Sequence, residues 1–282
     1  MMSLPGPIID GHVHLWDPAR LRYPWLAATP DLAHRHTLED YAAATGSLPI
    51  TGRVFVQCEC DPVQAREEVA WVAAMEGIDA IVAYAPLEPG ELSASELQWL
   101  ACQPKVRGVR RILQGERSAD FCLQPSFVAG VRSLAQHGFT FDLCIRHDQL
   151  GAAAELVRRC SDVTFVLDHL GKPAIRDRNF DPWCVQLSQL AELSNVVAKV
   201  SGLTTEADAA AWTPEDLRPY VAHALACFGW DRLLFGGDWP VVELAGGYAR
   251  WAAALAALIE PATHAQHRAL LHDNAARVYR LA

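Results

Sequence analysis

The sequence predicts an α/β fold in which eight parallel strands close into a (β/α)8 TIM barrel, a single domain over residues 1–282. Three observations predict it. Eight short β-branched runs alternate with segments of helical period, and that order implies a parallel sheet with helical crossovers. The runs are apolar nearly throughout, as strands covered on both faces must be. No glycine-rich dinucleotide fingerprint follows the first run, which disfavours the rival open, doubly wound sheet.

Taken in order, the predicted strands are 8–9 leading to His12, then 53–58, 80–85, 106–113, 140–145, 164–167, 196–200 and 233–235. The stretch 15–51 has no strand signal and carries Trp16, Tyr23 and Trp25; it reads as an elaborated first loop followed by a helix over 38–44. A helix over 126–137 is stopped by Gly138. Trp183, Leu187, Leu190 and Leu193 recur at spacings of four and three, which puts them on one helical face. Thr213 before Pro214, with Asp216 three residues on, marks a helix start. Leu217, Val221 and Leu225 continue that helix, and Gly229 ends it.

The formal charge of −9 argues against nucleic acid or an anionic membrane surface as a partner, since both demand clustered Lys and Arg. Residues 1–7 lack a basic segment followed by an apolar core, and the most apolar stretch, 251–259, is too short to span a bilayer. A cytoplasmic protein with a small-molecule substrate is the expectation. The eight cysteines are read as reduced, mostly buried thiols. Cys58 and Cys60 fit neither C-x-x-C nor the usual zinc spacing, and a site-lining role for Cys58 is only the lesser alternative to a buried thiol.

Chemistry concentrates at the strand ends, where a barrel builds its active face. His12 and His14, in Asp10-Gly-His-Val-His, are two apart in an extended segment, so both imidazoles address one point. Asp238, in Gly236-Gly-Asp-Trp-Pro, follows the last strand, where two glycines let the backbone bend closely. A carboxylate ionised at neutral pH needs no large pKa shift to accept a proton there. His169 closes the sixth run in the same way. A pair of surface histidines and an Asx-type turn residue are the plainer alternatives for each motif alone. Arg110 and Arg146 are candidates to grip a small substrate, whereas Arg107, near its strand's start, reads as a solvated charge. Glu59 is a candidate for bonding a histidine or the substrate, with a salt-bridged structural carboxylate as the alternative, and Lys199 reads as the structural partner of a nearby carboxylate.

Five motifs carry a resemblance: H-V-H-L-W-D at 12–17, V-R-G-V-R at 106–110, L-D-H-L-G-K-P at 167–173, K-V-S-G-L at 199–203 and G-G-D-W-P at 236–240. Together they resemble the amidohydrolase superfamily, in the subgroup holding sugar-lactone and pyrone-dicarboxylate lactonases. The resemblance implies a hydrolase of cyclic esters in which Asp238 activates water and His12, His14 and His169 polarise the carbonyl, directly or through a metal. It implies His12, His14 and Asp238 as ligands of at most one zinc or other divalent ion, with metal-independent catalysis left open. The neighbourhoods where many relatives carry a bridging Lys or Glu and a further histidine offer Arg110, Arg111 and Arg146-His147 here, so a binuclear centre is not expected. Trp16, Trp25 and Trp239 would shape the pocket, with barrel packing an equal alternative for Trp239.

A sugar-acid lactone such as fuconolactone or rhamnonolactone is the preferred substrate, because a dicarboxylate calls for convergent arginines. The alternatives are a lactone of the pyrone-dicarboxylate or muconolactone type, a metal-dependent decarboxylase on the same barrel, and a silent sugar-binding protein. An oligomer is left open.

Overall fold

A computed structural model describes residues 4–88 and 90–281. Of residues 1–7, read above for a leader pattern, the first three lie outside that range. Strands β1 (Ile8–Val13), β2 (Ile50–Val56), β3 (Ala80–Ala83), β4 (Val106–Val109), β5 (Thr140–Leu143), β6 (Phe165–Leu167), β7 (Val196–Val200) and β8 (Leu233–Phe235) pair in sequence order. Each pairing is parallel. The last strand returns to the first: Val13 bridges in parallel to Trp239, and the Asp238 N–H donates to the His12 carbonyl at 2.9 Å. The chain is a (β/α)8 barrel.

The helices are α1 (Leu38–Thr45), α2 (Ala65–Ala73), α3 (Glu91–Ala101), α4 (Pro125–Ser133), α5 (Leu150–Arg159), α6 (Asp181–Ala191), the short α7 (Leu203–Glu206), α8 (Pro214–Phe228) and α9 (Tyr248–Ile259). Their boundaries follow local chemistry. At the start of α8 the Thr213 N–H donates to the Asp216 carboxylate at 2.9 Å, and Gly229 ends the helix in the left-handed region at φ 65°. The predicted helix over 126–137 is α4 followed by a 3-10 turn, again stopped by a left-handed Gly138. No helix among the described residues is long and apolar enough to cross a membrane.

Predicted runs two to five overshoot their strands by two to four residues at the C-terminal end. The extra residues remain mostly buried, but they have left the ladder to form the barrel mouth.

Inside the barrel, Ile9, Val54, Val56, Ala80, Val82, Val166, Val197 and Leu234 form an aliphatic floor. After α9 come α10 (His264–Arg268), a π turn over Ala269–Asp273 and α11 (Asn274–Tyr279), whose Ala275, Val278 and Tyr279 plug this floor from below. Side chains two apart on a strand share a face, so Asp168 stands above Val166 and Lys199 above Val197. In β1 the register against β2 shifts between Asp10 and Val13, and His12 ends up inside with its Nδ1 3.3 Å from Lys199 Nζ.

Candidate active site

The barrel seam is fastened by Asp10. One of its oxygens accepts the N–H groups of His12 (3.0 Å) and Gly237 (2.8 Å); the other accepts the hydroxyls of Tyr41 (3.0 Å) and Tyr248 (2.8 Å). The carboxylate is fully buried, and burial raises its pKa against those four donors. Gly237 is required by space: a Cβ there would lie 2.5 Å from Asp10 Oδ2 and collide with the Tyr248 ring. Neither Gly236 nor Gly237 has positive φ, so the demand at this motif is close approach and not the bend expected from sequence.

Three imidazoles converge on Asp238. Its Oδ1 lies 3.7 Å from Nε2 of both His12 and His14 and 3.8 Å from Nε2 of His169. His14 Nδ1 is 2.7 Å from the Val56 carbonyl, which accepts only, so Nδ1 carries the proton and Nε2 presents a lone pair to the cavity. His12 Nε2 stands 3.1 Å from that lone pair. His12 Nδ1 is flanked by Asp168 Oδ1 at 3.3 Å and Lys199 Nζ at 3.3 Å, an acceptor and a donor, so both neutral tautomers of His12 find a partner. His169 Nδ1 meets Ser201 Oγ at 2.9 Å. A Cβ on the left-handed Gly202 would fall 2.5 Å from the same imidazole nitrogen.

Burial keeps the imidazoles neutral. It holds His12 and His169 well below the ordinary histidine value and, helped by the Arg110 charge, brings His14 down to about 3. Burial also pushes Asp238 up to about 7 against the pull of Lys172 and Arg110. The sequence predicts no large shift for this carboxylate. The difference is desolvation, since Asp238 is 4% exposed.

Beneath the histidines lies a charge layer that sequence reasoning finds only through Lys199. Lys199 Nζ is 2.6 Å from Asp142 Oδ2 and 3.0 Å from Asp168 Oδ1, and all three residues are fully buried. Arg110 Nη1 donates to Asp168 Oδ2 at 3.2 Å, and its Nη2 donates to the Gln57 carbonyl at 2.5 Å. Burial opposes ionisation of Asp168, but Lys199, His12 and Arg110 outweigh it and hold the carboxyl well below its usual range. The signal is present as single charges inside apolar strands, Asp142 in β5 and Lys199 in β7.

The cavity above has a volume of about 180 Å³, and Trp16, Trp25, Cys58, Glu59 and Arg110 line it together with His14, His169 and Asp238. The Arg110 guanidinium is already committed to the framework. Trp239 is 2% exposed and sits off the cavity, edge-on to His36 and Tyr41. Arg146 is exposed and outside the lining, because its N–H is captured by Gln149 Oε1 at 2.8 Å as the chain turns into α5 and carries the side chain away. Lys172, to which the sequence assigns no role inside its G-K-P motif, lines the cavity and donates to Gln114 Oε1 at 2.5 Å. It has no carboxylate at ion-pair distance among the described residues.

His12, His14 and Asp238 offer ligand atoms that all lie within 4.8 Å of one another. That donor set fits one divalent cation: one lone pair is fixed by tautomer, a second is made available by Asp168, and one carboxylate completes it. A second group, His12, Asp168 and His169, is as close but shares His12, and its carboxylate is already held by Lys199 and Arg110.

Residues 9–281 match a protein-family model described as amidohydrolase. An L-fucono-1,5-lactonase of Burkholderia multivorans is 32% identical over 298 residues, covering 97% of this chain and 96% of its own. An L-fucono-1,5-lactonase of Burkholderia ambifaria is 32% identical over 254 residues, covering 88% and 85%. The crystal structure of an amidohydrolase from Burkholderia multivorans with bound zinc superposes with a TM-score of 0.89 at 30% identity, covering 98% of this chain and all of that one.

Proposed function

The chain belongs to the amidohydrolase family, and from that premise we propose that it is a cytoplasmic, single-domain lactonase that opens a sugar-acid lactone of the fuconolactone or rhamnonolactone kind. The observation that carries the reading is Asp238: a carboxylate brought to about 7 by burial, facing three neutral imidazoles across a cavity too small for a macromolecule. A group with that affinity for protons accepts one and returns it near neutral pH. The relatives named as L-fucono-1,5-lactonases support the substrate class.

In the proposed reaction Asp238 takes a proton from water as the water oxygen bonds to the lactone carbonyl carbon. The tetrahedral intermediate collapses by breaking the bond to the ring oxygen, and that oxygen receives the proton from Asp238, leaving a hydroxy acid. His169, whose Nδ1 is served by the Ser201 hydroxyl, can present Nε2–H to the carbonyl oxygen. Lys172 supplies positive charge at the same wall. His12, His14 and Asp238 would hold a zinc or similar ion, which when bound polarises the carbonyl as a Lewis acid. Trp16, Trp25 and Glu59 shape the space around the ring.

Proton release measured over a panel of aldonolactones, with and without chelator, tests this. Asp238→Asn is expected to lower kcat by about 10²–10⁴-fold with an unchanged circular dichroism spectrum. Wild-type turnover by that variant would remove Asp238 from the mechanism.

A further inference from the structure

A second chamber of about 600 Å³ adjoins the catalytic cavity, and the two share Trp25, Glu59 and Ile112 as a common wall. The catalytic cavity alone, at about 180 Å³, falls below the ~300–1,000 Å³ usual for ligand sites, and only with its neighbour does the space reach that range. The wall between them is built and fixed. The Trp25 indole N–H donates to the Cys58 carbonyl at 2.8 Å, which fixes the ring on the boundary between the two spaces.

Glu59, on the boundary the two spaces share, is in a left-handed conformation, φ 52°, beside the values of 54° for His169 and 55° for Asp238. A non-glycine residue held there stores strain of a kind that gathers at ligand-contacting positions. Its carboxylate has no hydrogen-bond or ion-pair partner among the described residues, although its N–H is tied to Gln57 Oε1 at 2.6 Å. The opposite wall presents Tyr84, half-buried, and Arg111. Arg111 is fully committed: it lies 2.8 Å from Glu88 Oε1 and 2.6 Å from Glu116 Oε1, with its guanidinium over the Phe121 ring.

The second chamber therefore offers two aromatic side chains and the free Glu59 carboxylate, and no uncommitted cation for a carboxylate among its described lining residues. That chemistry suits an uncharged ring bearing hydroxyl groups. We propose that the substrate spans both spaces, with the lactone under Asp238 and a second, glycosidically linked sugar unit over Trp25 and Tyr84 donating hydroxyls to Glu59. This inference rests on the lactonase reading above and narrows the substrate class to the lactone of a disaccharide acid.

The test uses matched pairs: glucono-, galactono- and L-fuconolactone, each beside the lactone obtained by oxidising a reducing disaccharide that ends in the same sugar. The inference expects kcat/KM at least tenfold higher for the extended member of an accepted pair. It expects that ratio to fall about tenfold in Tyr84→Ala and in Glu59→Gln, the latter a near-isosteric change at an exposed site. Turnover of simple lactones with no preference for the extended ones, or a ratio unmoved by both variants, overturns the second subsite and leaves the lactonase reading standing. No turnover of any lactone overturns the lactonase reading, and this inference with it.

Discussion

The two ends of the barrel interior are built on opposite principles. The floor is aliphatic, Val54, Val82, Val166, Val197 and Leu234 sealed by the C-terminal plug, and it contributes through apolar area removed from water. One layer up, the same barrel carries Asp142, Asp168 and Lys199, buried as completely but charged. Such a cluster gains little stability over an apolar equivalent, because desolvation cancels most of the Coulomb attraction. What it provides is position: Lys199 and Arg110 fix Asp168, and Asp168 faces His12. A single strand thus uses its lower residue to hold the fold and its upper residue to aim the site.

The sharpest way to break this contrast is Lys199→Met. If the upper layer is a balanced cluster, removing its cation leaves Asp142 and Asp168 facing each other. That should cost about 3–5 kcal/mol in chemical denaturation and lower kcat as His12 loses its support. Unchanged stability would show the layer to be as forgiving as the floor.

Next in size is an effect of opposite sign at the mouth. Asp238 has a folded-state pKa of about 7 against the ordinary aspartate value of 3.8, so the folded protein favours the protonated form. Its favourable contribution is complete below about pH 3.8 and gone once pH has risen through about 7. Asp238→Asn escapes that loss. It should exceed the wild type in stability at pH 8 by up to about 4 kcal/mol, measured by denaturant titration, while its kcat is strongly lowered. For the wild type, kcat/KM should climb with pH through the same region as the base ionises.

The smallest effect belongs to the junction of the two layers. The Tyr279 hydroxyl, reaching up from the plug, donates to Asp142 Oδ2 at 2.8 Å. Tyr279→Phe should cost about 1.5–3 kcal/mol. The shape of the pH–rate profile should not move, because Asp142 keeps Lys199 as its counter-ion.

Much of this is legible in the chain. β7 and β8 fall where their apolar runs predict, since a covered strand bounded by turn residues has few alternative readings. The convergence of His12, His14, His169 and Asp238 follows from each lying at a strand end, once the barrel is assumed. Arg146 misleads because position along a strand does not say which way the chain turns afterwards, and here a local bond to Gln149 decides it. Trp239 suits pocket and packing equally on sequence; its neighbours His36 and Tyr41 come from the first loop and α1, a tertiary fact. The role of Asp10 is hidden for the same reason, because its four donors come from β1, α1, the end of β8 and α9.

That last residue bears on the order of events during folding. Asp10 lies near the start of the chain, and two of its donors, Gly237 and Tyr248, are separated from it by more than two hundred positions. Closing so long a loop has an entropic cost that only late, cooperative contacts offset. The seam that aligns His12 with Asp238 is thus a checkpoint on completeness. A chain still emerging from synthesis, or one truncated before its ninth helix, has the histidines of the first strand but not the fastened seam that would make them reactive.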